Sequence, residues 1–270
     1  MSPSGIHVNK SVVLLILAIT VGIIVFNNYK YFSTFLTKKN TEVEMTEISQ
    51  AILDKAKTLD VKTHRIEVEV EDGQSVEIVY RDVLPKLGGT DILFLHGQSF
   101  SSEDWEKTDT LAIFSALGYQ PVAVDLPEGK NSKSQKVDVG DRGLFLEKLI
   151  TALDLRTPVI VSPSMSGSYS LPFLFMDPAN VSKRSAGFIP IAPVQTESYS
   201  QEKYKSLNIP TAIVYGENDR SVGPVSTTNL KNLPDHDELH MIKGAGHAAW
   251  KNKPEEFHLI LYKFLLKETK

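Results

Sequence analysis

Two kinds of hydrophobic pattern fill the chain from about residue 64 onward. Arg65–Val70 alternates as R-I-E-V-E-V and Ser75–Tyr80 as S-V-E-I-V-Y, with Glu71-Asp72-Gly73-Gln74 between them. A period of 2 on either side of Asp-Gly predicts an antiparallel hairpin, because Asp-Gly readily supplies the positive φ of a tight turn. Short apolar runs without alternation follow: Ile92–Leu95, Val122–Val124, Val159–Val161, Gly187–Ile191, Ala212–Tyr215 and Leu239–Ile242. Such runs suit strands buried on both faces. Segments of helical period lie between them, at Thr108–Leu117, Gly140–Leu153, Ser168–Met176, Pro224–Leu233 and Pro254–Leu266. Strand and helix in alternation predict a parallel sheet with crossover helices on both faces. With the hairpin added, the expected fold is α/β with a mostly parallel, eight-stranded sheet. Ligands in this class sit at the carboxyl ends of the strands.

The N-terminal part reads differently. Val12–Phe26 carries no charge, and 19 residues separate Lys10 from Lys30. As a helix they would span about 28 Å, close to the ~30 Å of a bilayer core. The expectation is a short tail at 1–10, a transmembrane signal-anchor helix at 11–29, a polar stalk at 30–63 and the α/β domain at 64–270. Val43, Ile48, Ile52 and Leu59 give the stalk a short amphipathic helix or spacer near 43–60. The anchor implies single-pass membrane localisation, and Lys30, Lys38 and Lys39 after the run place the domain on the cytoplasmic side. A cleaved signal peptide is the alternative, with Thr20 and Gly22 as a poor cleavage pair. Asn180-Val181-Ser182 is a glycosylation sequon that would matter only in a lumen.

Composition narrows the chemistry. The 270 residues hold 29 Lys plus Arg against 33 Asp plus Glu, a net charge of −4, so no basic face for nucleic acid is indicated. Cysteine is absent. A disulfide framework, a thiolate metal site and a cysteine nucleophile are thereby excluded. No His/Asp/Glu group has metal-ligand spacing, so no metal is expected.

The residues after the strands carry the informative pattern. His96-Gly97-Gln98-Ser99 follows Ile92–Leu95, and Ser162-Pro163-Ser164-Met165-Ser166-Gly167 follows Val159–Val161. Gly216-Glu217-Asn218-Asp219 follows Ala212–Tyr215, and Lys243-Gly244-Ala245-Gly246-His247 follows Leu239–Ile242. A hydroxyl, a carboxylate and an imidazole thus stand at three strand ends in the order Ser, Asp, His. That is the arrangement of nucleophile-elbow enzymes of the α/β-hydrolase fold. A serine hydroxyl needs an imidazole to take its proton and a carboxylate to hold the imidazole's tautomer. The predicted catalytic residues are therefore Ser164, Asp219 and His247. The backbone N–H groups of Met165 and Gln98 are the predicted oxyanion-hole donors.

Other assignments stay open on spacing alone. Four serines at 162, 164, 166 and 168 compete, and Ser164 is the one centred between two small residues. Ser162 and Ser166 replace the usual flanking glycines of the elbow. Glu217 and Glu197 are alternative acids. Asp125 reads as a structural turn anchor, His96 as part of the His-Gly turn and His240 as a strand residue, while His64, His236 and His258 have no predicted partner.

Six segments carry a family resemblance: LFLHGQSFSSEDW (93–105), AVDLP (123–127), VIVSPSMSGSYSLPFLF (159–175), GFIPIAPV (187–194), YGENDRSVG (215–223) and GAGHAAWKNKPEEFH (244–258). The chain resembles the small α/β-hydrolase domain-containing group numbered fourteen, in its membrane-anchored A-type form. The serine-flanked elbow SPSMSGSYSLPF is the most specific of these segments. The resemblance implies Ser164 as nucleophile, Asp219 as acid and His247 as base, in a domain with little or no lid. It departs at Glu128-Gly129-Lys130-Asn131-Ser132, where the group commonly has a glycine-rich turn. Soluble B-type members are associated with ester hydrolysis and with moving acyl groups from lysine to coenzyme A. The expected activity is thus a membrane-anchored serine hydrolase that cleaves small acyl esters or amides, with a small acyl substrate or an acylated lysine as partner and no cofactor. Coenzyme A as acyl acceptor is the alternative, and a non-catalytic binding protein of the same fold is a second.

Overall fold

The computed structural model describes residues 47–268 apart from 71–72, 85–87 and 238. Eight strands form one sheet: β1 Val61–Glu69, β2 Ser75–Val83, β3 Asp91–Phe94, β4 Gln120–Val124, β5 Val159–Pro163, β6 Gly187–Ile191, β7 Val214–Gly216 and β8 His240–Ile242. Their spatial order is β1-β2-β4-β3-β5-β6-β7-β8. β1 and β2 pair antiparallel from Val61↔Val83 to Glu69↔Ser75, β2 pairs antiparallel with β4, and every later pairing is parallel. The expected mixed sheet is therefore present, with a hairpin longer at both open ends than the alternation indicated.

Helices cover both faces: α1 Gln50–Ala56, α2 Ser102–Lys107, α3 Thr110–Ala116, α4 Arg142–Ala152, α5 Gly167–Met176, α6 Gln201–Ser206, α7 Gly223–Leu230, α8 Ala249–Asn252 and α9 Pro254–Glu268. The strands alternate between two cores. Leu93, Val122, Val124, Ile160 and Phe188 face α4 and α5, where Phe145, Leu146, Leu149, Leu171 and Leu174 meet them. Ile92, Phe94, Val159, Val161 and Ile189 face the other way, toward Trp105, Phe114, Phe257 and Leu261. A doubly covered sheet accounts for strands that read as continuous apolar runs. α1 belongs to the second core through the buried Ala56, and Lys55 Nζ donates to the Ala116 carbonyl at 2.9 Å. This part of the predicted stalk is thus packed against the sheet's helices.

The predicted helix at 108–117 is α3, Thr110–Ala116, and a further short helix that no period indicated, α2, precedes it. Ser101 and Asp104 form a capping box that starts α2, and Asp109 at φ +57 breaks the chain before α3.

The expected single-pass membrane localisation is corrected. Among the described residues no helix is long and apolar enough to cross a membrane. The longest, α9, has 15 residues and opens with Glu255 and Glu256. At 1.5 Å per residue that is about 22 Å, short of a ~30 Å core. The run at 11–29, on which the expected signal-anchor rested, lies outside the described residues.

Candidate active site

The site grows from the end of β5, where the chain turns sharply into α5. Ser164 stands at φ +51, in the left-handed region that non-glycine residues rarely adopt. Holding a residue there costs about 1–3 kcal/mol, so the surroundings must enforce it. Val194 N–H, in the loop after β6, donates to the Ser164 carbonyl at 2.9 Å. Gly167 supplies the close packing: a Cβ there would lie 2.5 Å from the Val194 carbonyl oxygen and 2.7 Å from Pro193 Cβ.

The serines that replace the flanking glycines are buried and bonded to one another. Ser162 Oγ lies 3.1 Å from Ser166 Oγ and 2.7 Å from Ser170 Oγ, and Ser166 Oγ donates to the Pro163 carbonyl at 2.7 Å. Ser168 Oγ donates to the Met165 carbonyl at 2.8 Å. Three of the competing serines thus spend their hydroxyls on the local framework. Ser164 Oγ alone among the four points at an imidazole.

His247 Nε2 is 2.8 Å from Ser164 Oγ, and His247 Nδ1 is 2.7 Å from Asp219 Oδ2. Three side chains separated by 55 and 28 positions in the chain therefore meet at the carboxyl ends of β5, β7 and β8. The Asp219 side chain is 1% exposed and the His247 side chain 34%, so the carboxylate is hidden while the imidazole opens to solvent. Asp219 Oδ1 accepts from Ser221 N–H at 2.9 Å, Ser221 Oγ at 2.8 Å and Val222 N–H at 3.2 Å, and Oδ2 also accepts from Gly223 N–H at 3.0 Å. Burial alone raises the pKa of this carboxyl, but the bonds from His247 and Ser221 outweigh it and hold the group down at about 2. An ionised carboxylate only accepts, so Nδ1 of His247 carries the proton and Nε2 is left as acceptor for the serine hydroxyl.

The other acids are engaged elsewhere. Glu217 Oε2 accepts from Gly244 N–H at 2.8 Å, which braces the loop that leads to His247. Glu197 sits in a short 3₁₀ turn, Thr196–Ser198. Asp125 anchors turns, as its position indicated, accepting from Ser102 N–H at 2.7 Å and Lys133 N–H at 2.6 Å. His96 is fully buried and pinned between the Gly97 carbonyl at 2.9 Å and Leu126 N–H at 2.8 Å. Burial lowers its pKa and favours the neutral ring that this N–H needs. The remaining histidines do have partners: His64 meets Asp82 at 3.0 Å, His258 meets Thr110 Oγ1 at 2.8 Å and His236 meets the Leu233 carbonyl at 2.6 Å. Asn180 of the sequon spends its amide on Asp177 at 3.0 Å and on Lys183 at 2.8 Å.

The loop after β3 lies directly over the elbow. A Cβ on Gly97 would sit 3.3 Å from Ser164 Cβ, so the next residue, Gln98, begins beside the serine. Among the described residues no acceptor takes up the backbone N–H of Gln98 or of Met165. Phe100 borders the same place and packs edge-on against Trp250 with ring centroids 5.5 Å apart. Among the described residues no three His, Cys, Asp or Glu side chains are grouped to hold a metal ion.

One cluster beside this loop was missed by spacing. Glu128 Oε1 accepts from Arg142 at 2.6 Å and Oε2 from Tyr169 Oη at 2.6 Å. Burial pushes Glu128 up, yet the Arg142 and Tyr169 bonds bring its pKa below the usual carboxylate value, while burial and the neighbouring Glu128 push Tyr169 well up. The only sequence signal was that 128–132 departs from the glycine-rich turn of the resembled group.

Sheet order, strained serine elbow and strand-end placement define a hydrolase of the α/β-hydrolase fold. A crystal structure described as a predicted CIB-like hydrolase from Thermoplasma acidophilum superposes with a TM-score of 0.66 at 25% identity, covering 77% of this chain and 100% of that one. No family model matches the sequence. Among curated proteins, ABHD14A of Rattus norvegicus is 42% identical over 195 residues, 71% of this chain and 78% of the relative. The human protein named "Putative protein-lysine deacylase ABHD14B" is 41% identical over 198 residues, 71% of this chain and 91% of the relative. The chain belongs to the ABHD14 family.

Proposed function

We propose that the protein is a serine hydrolase that cleaves small acyl esters or amides through an acyl-Ser164 intermediate. The observation that supports this reading is the unbroken relay from Asp219 through His247 to Ser164, with spacings of 2.7 and 2.8 Å. In the reaction His247 Nε2 takes the Ser164 proton as Oγ bonds to the acyl carbon. The imidazolium then returns that proton to the leaving alcohol or amine as the acyl–O or acyl–N bond breaks. Water attacks the acyl-enzyme in the second half, giving its proton to His247, which passes it to Ser164 as the carboxylic acid leaves. Asp219 holds the tautomer and stabilises the imidazolium in both halves. The N–H groups of Gln98 and Met165 receive the oxyanion, each donor of this kind contributing about 3–4 kcal/mol to barrier lowering. No step calls for a metal or redox cofactor. The human relative's name adds an acylated lysine as the amide to test first.

The test is labelling by a fluorophosphonate probe together with hydrolysis of a short-chain p-nitrophenyl ester. The wild type is expected to label and turn over, and Ser164→Ala to do neither. Equal labelling of the two would overturn the reading and leave a binding protein of hydrolase fold. Product analysis with coenzyme A present separates water from thiol as acceptor: free acid supports hydrolysis, acyl-coenzyme A supports transfer.

A further inference from the structure

The oxyanion donors sit on two different pieces of backbone. Met165 N–H is fixed by the elbow. Gln98 N–H belongs to a loop, and a loop can drift. Three hydrogen bonds fasten that loop to the segment after β4: Lys130 N–H to the Gln98 carbonyl at 2.7 Å, Asn131 Nδ2 to the Ser99 carbonyl at 2.7 Å, and Gln98 Nε2 to the Glu128 carbonyl at 3.1 Å. The position of Gln98 is therefore only as fixed as residues 128–131.

Gly129 is held locally, its N–H donating to the Leu126 carbonyl at 3.1 Å and its carbonyl accepting from Lys136, while Glu128 connects the segment to the helices around the elbow. The Glu128 side chain is 20% exposed and reaches two helices at once. Tyr169 lies on α5, the helix that continues directly from the Ser164 elbow, and Arg142 opens α4. The guanidinium of Arg142 also lies 5.7 Å from the Tyr169 ring centroid, closing a three-membered cluster. We propose that Glu128 is a positioning residue that ties the Gln98 loop to the elbow helix, so that both oxyanion donors keep one spacing around the acyl carbon. A single residue carries both connections, its main-chain carbonyl to Gln98 and its carboxylate to Tyr169. An oxyanion hole requires its donors about 2.7–3.1 Å from the developing charge, so a drift of half an ångström in one donor is felt in turnover. Substrate binding does not depend on that alignment to the same degree, because the oxyanion forms only in the transition state.

The inference rests on the serine-hydrolase reading, and the experiment keeps the two apart. Probe labelling that requires Ser164 is established first; its failure condemns the parent reading and says nothing particular of Glu128. With labelling established, kcat and KM are measured for Glu128→Ala, Glu128→Gln and Gln98→Ala on the p-nitrophenyl ester. Glu128→Ala is expected to lower kcat by about tenfold with KM within about twofold of wild type, the signature of a lost transition-state contact. Gln98→Ala keeps the backbone donor and the bonds from Lys130 and Asn131 and removes the side-chain bond to the Glu128 carbonyl, so it gives a smaller loss in the same sense. Glu128→Gln recovers most of the rate, since its amide oxygen still accepts from Arg142 and its NH₂ can donate to the Tyr169 hydroxyl. The double variant Glu128→Ala/Gln98→Ala is no slower than Glu128→Ala, because both changes loosen one linkage. Folded variants with wild-type kcat, a loss that lies wholly in KM, or losses that multiply in the double variant would each overturn the proposal. Should Glu128→Ala fail to fold, Gln98→Ala decides alone: a wild-type kcat rules the tether out, and a reduced kcat at unchanged KM upholds it.

Discussion

Val194 N–H holds the carbonyl of Ser164 at 2.9 Å, so the loop after β6 grips the candidate nucleophile from behind while His247 faces it from the front. That loop is itself bent sharply, with Ala192 at φ +43 and Gln195 at φ +63. The grip works only if α5 starts close against it, which is why residue 167 has no side chain. Gly167 has an ordinary helical φ of −56, so the demand on it is one of space and not of backbone freedom. Gly167→Ala puts a Cβ 2.5 Å from a backbone oxygen that cannot swing aside. The expected result is a stability loss of about 1–3 kcal/mol in urea unfolding, the usual scale of overpacking. Fluorophosphonate labelling should slow as well, because the elbow must shift. An alanine variant with wild-type labelling rate and midpoint would show that the two backbones are not in the contact described.

The strand ends are legible in the sequence because burial on both faces makes strands short, apolar and sharply bounded. Ile92–Leu95 became β3 at Asp91–Phe94, and Val159–Val161 became the core of β5. The order Ser164, Asp219, His247 followed from what comes after those runs. Less was legible where bonding joins distant side chains. Glu128, Arg142 and Tyr169 are separated by 14 and 27 positions and lie on a loop and two helices, so no periodicity connects them. The serine framework was invisible for the opposite reason. Ser162, Ser166 and Ser170 alternate with Ser164 and Ser168 in one serine-rich stretch, where composition cannot say which hydroxyl faces inward. The short helices α2, α6 and α8 were missed because 6, 6 and 4 residues are too few to show a period.

Asp219→Asn should leave the hydrogen-bond acceptor for Ser221 and Val222 but remove the charge that orders the imidazole. An amide can present its NH₂ to His247 Nδ1 and turn the ring into the wrong tautomer. Turnover is expected to fall by about 10⁴-fold, the order seen when a buried triad aspartate is so replaced. The carboxyl is held down at about 2 from an ordinary 3.8, so its stabilising effect is complete above pH 3.8 and is lost as pH falls through 2. The stability gap between wild type and variant should therefore be constant from pH 8 to about 5 and narrow below about 4. Urea unfolding at several pH values checks this. A gap that widens toward acid would contradict the assignment of an ionised Asp219.

His258 titrates in the opposite circumstances. It is buried between α9 and α3, bonded to Thr110, with Phe114 edge-on at 5.9 Å. Burial lowers its pKa from 6.5 to about 4. The unfolded chain takes up a proton near 6.5 that the folded chain refuses until about 4, so stability falls as pH drops through that window. The loss amounts to about 3 kcal/mol between pH 7 and 4, and the buried His96 acts in the same sense. His258→Gln keeps an acceptor for the Thr110 hydroxyl but cannot titrate. Its unfolding midpoint should start lower at pH 7 and decline less steeply toward pH 4. Parallel slopes for the two proteins would mean that His258 is not neutral in the fold.

Ser162 and Ser166 occupy the positions where elbows of this fold usually carry glycine, and their hydroxyls are committed to each other, to Ser170 and to the Pro163 carbonyl. Restoring glycine at both should therefore cost stability without abolishing chemistry. Steric room at the elbow increases, and the relay from Asp219 to Ser164 is untouched. What is lost is a set of buried hydrogen bonds, each worth about 1 kcal/mol net, together with a Ser170 hydroxyl left without its partner. The single changes share bonds, so their effects on stability should be less than additive. The double variant Ser162→Gly/Ser166→Gly is expected to lose roughly 2–3 kcal/mol in urea unfolding and to retain probe labelling at Ser164. Loss of labelling in a folded double variant would mean that the serine pair, and not the Val194 and Gly167 contacts, holds Ser164 in its left-handed turn.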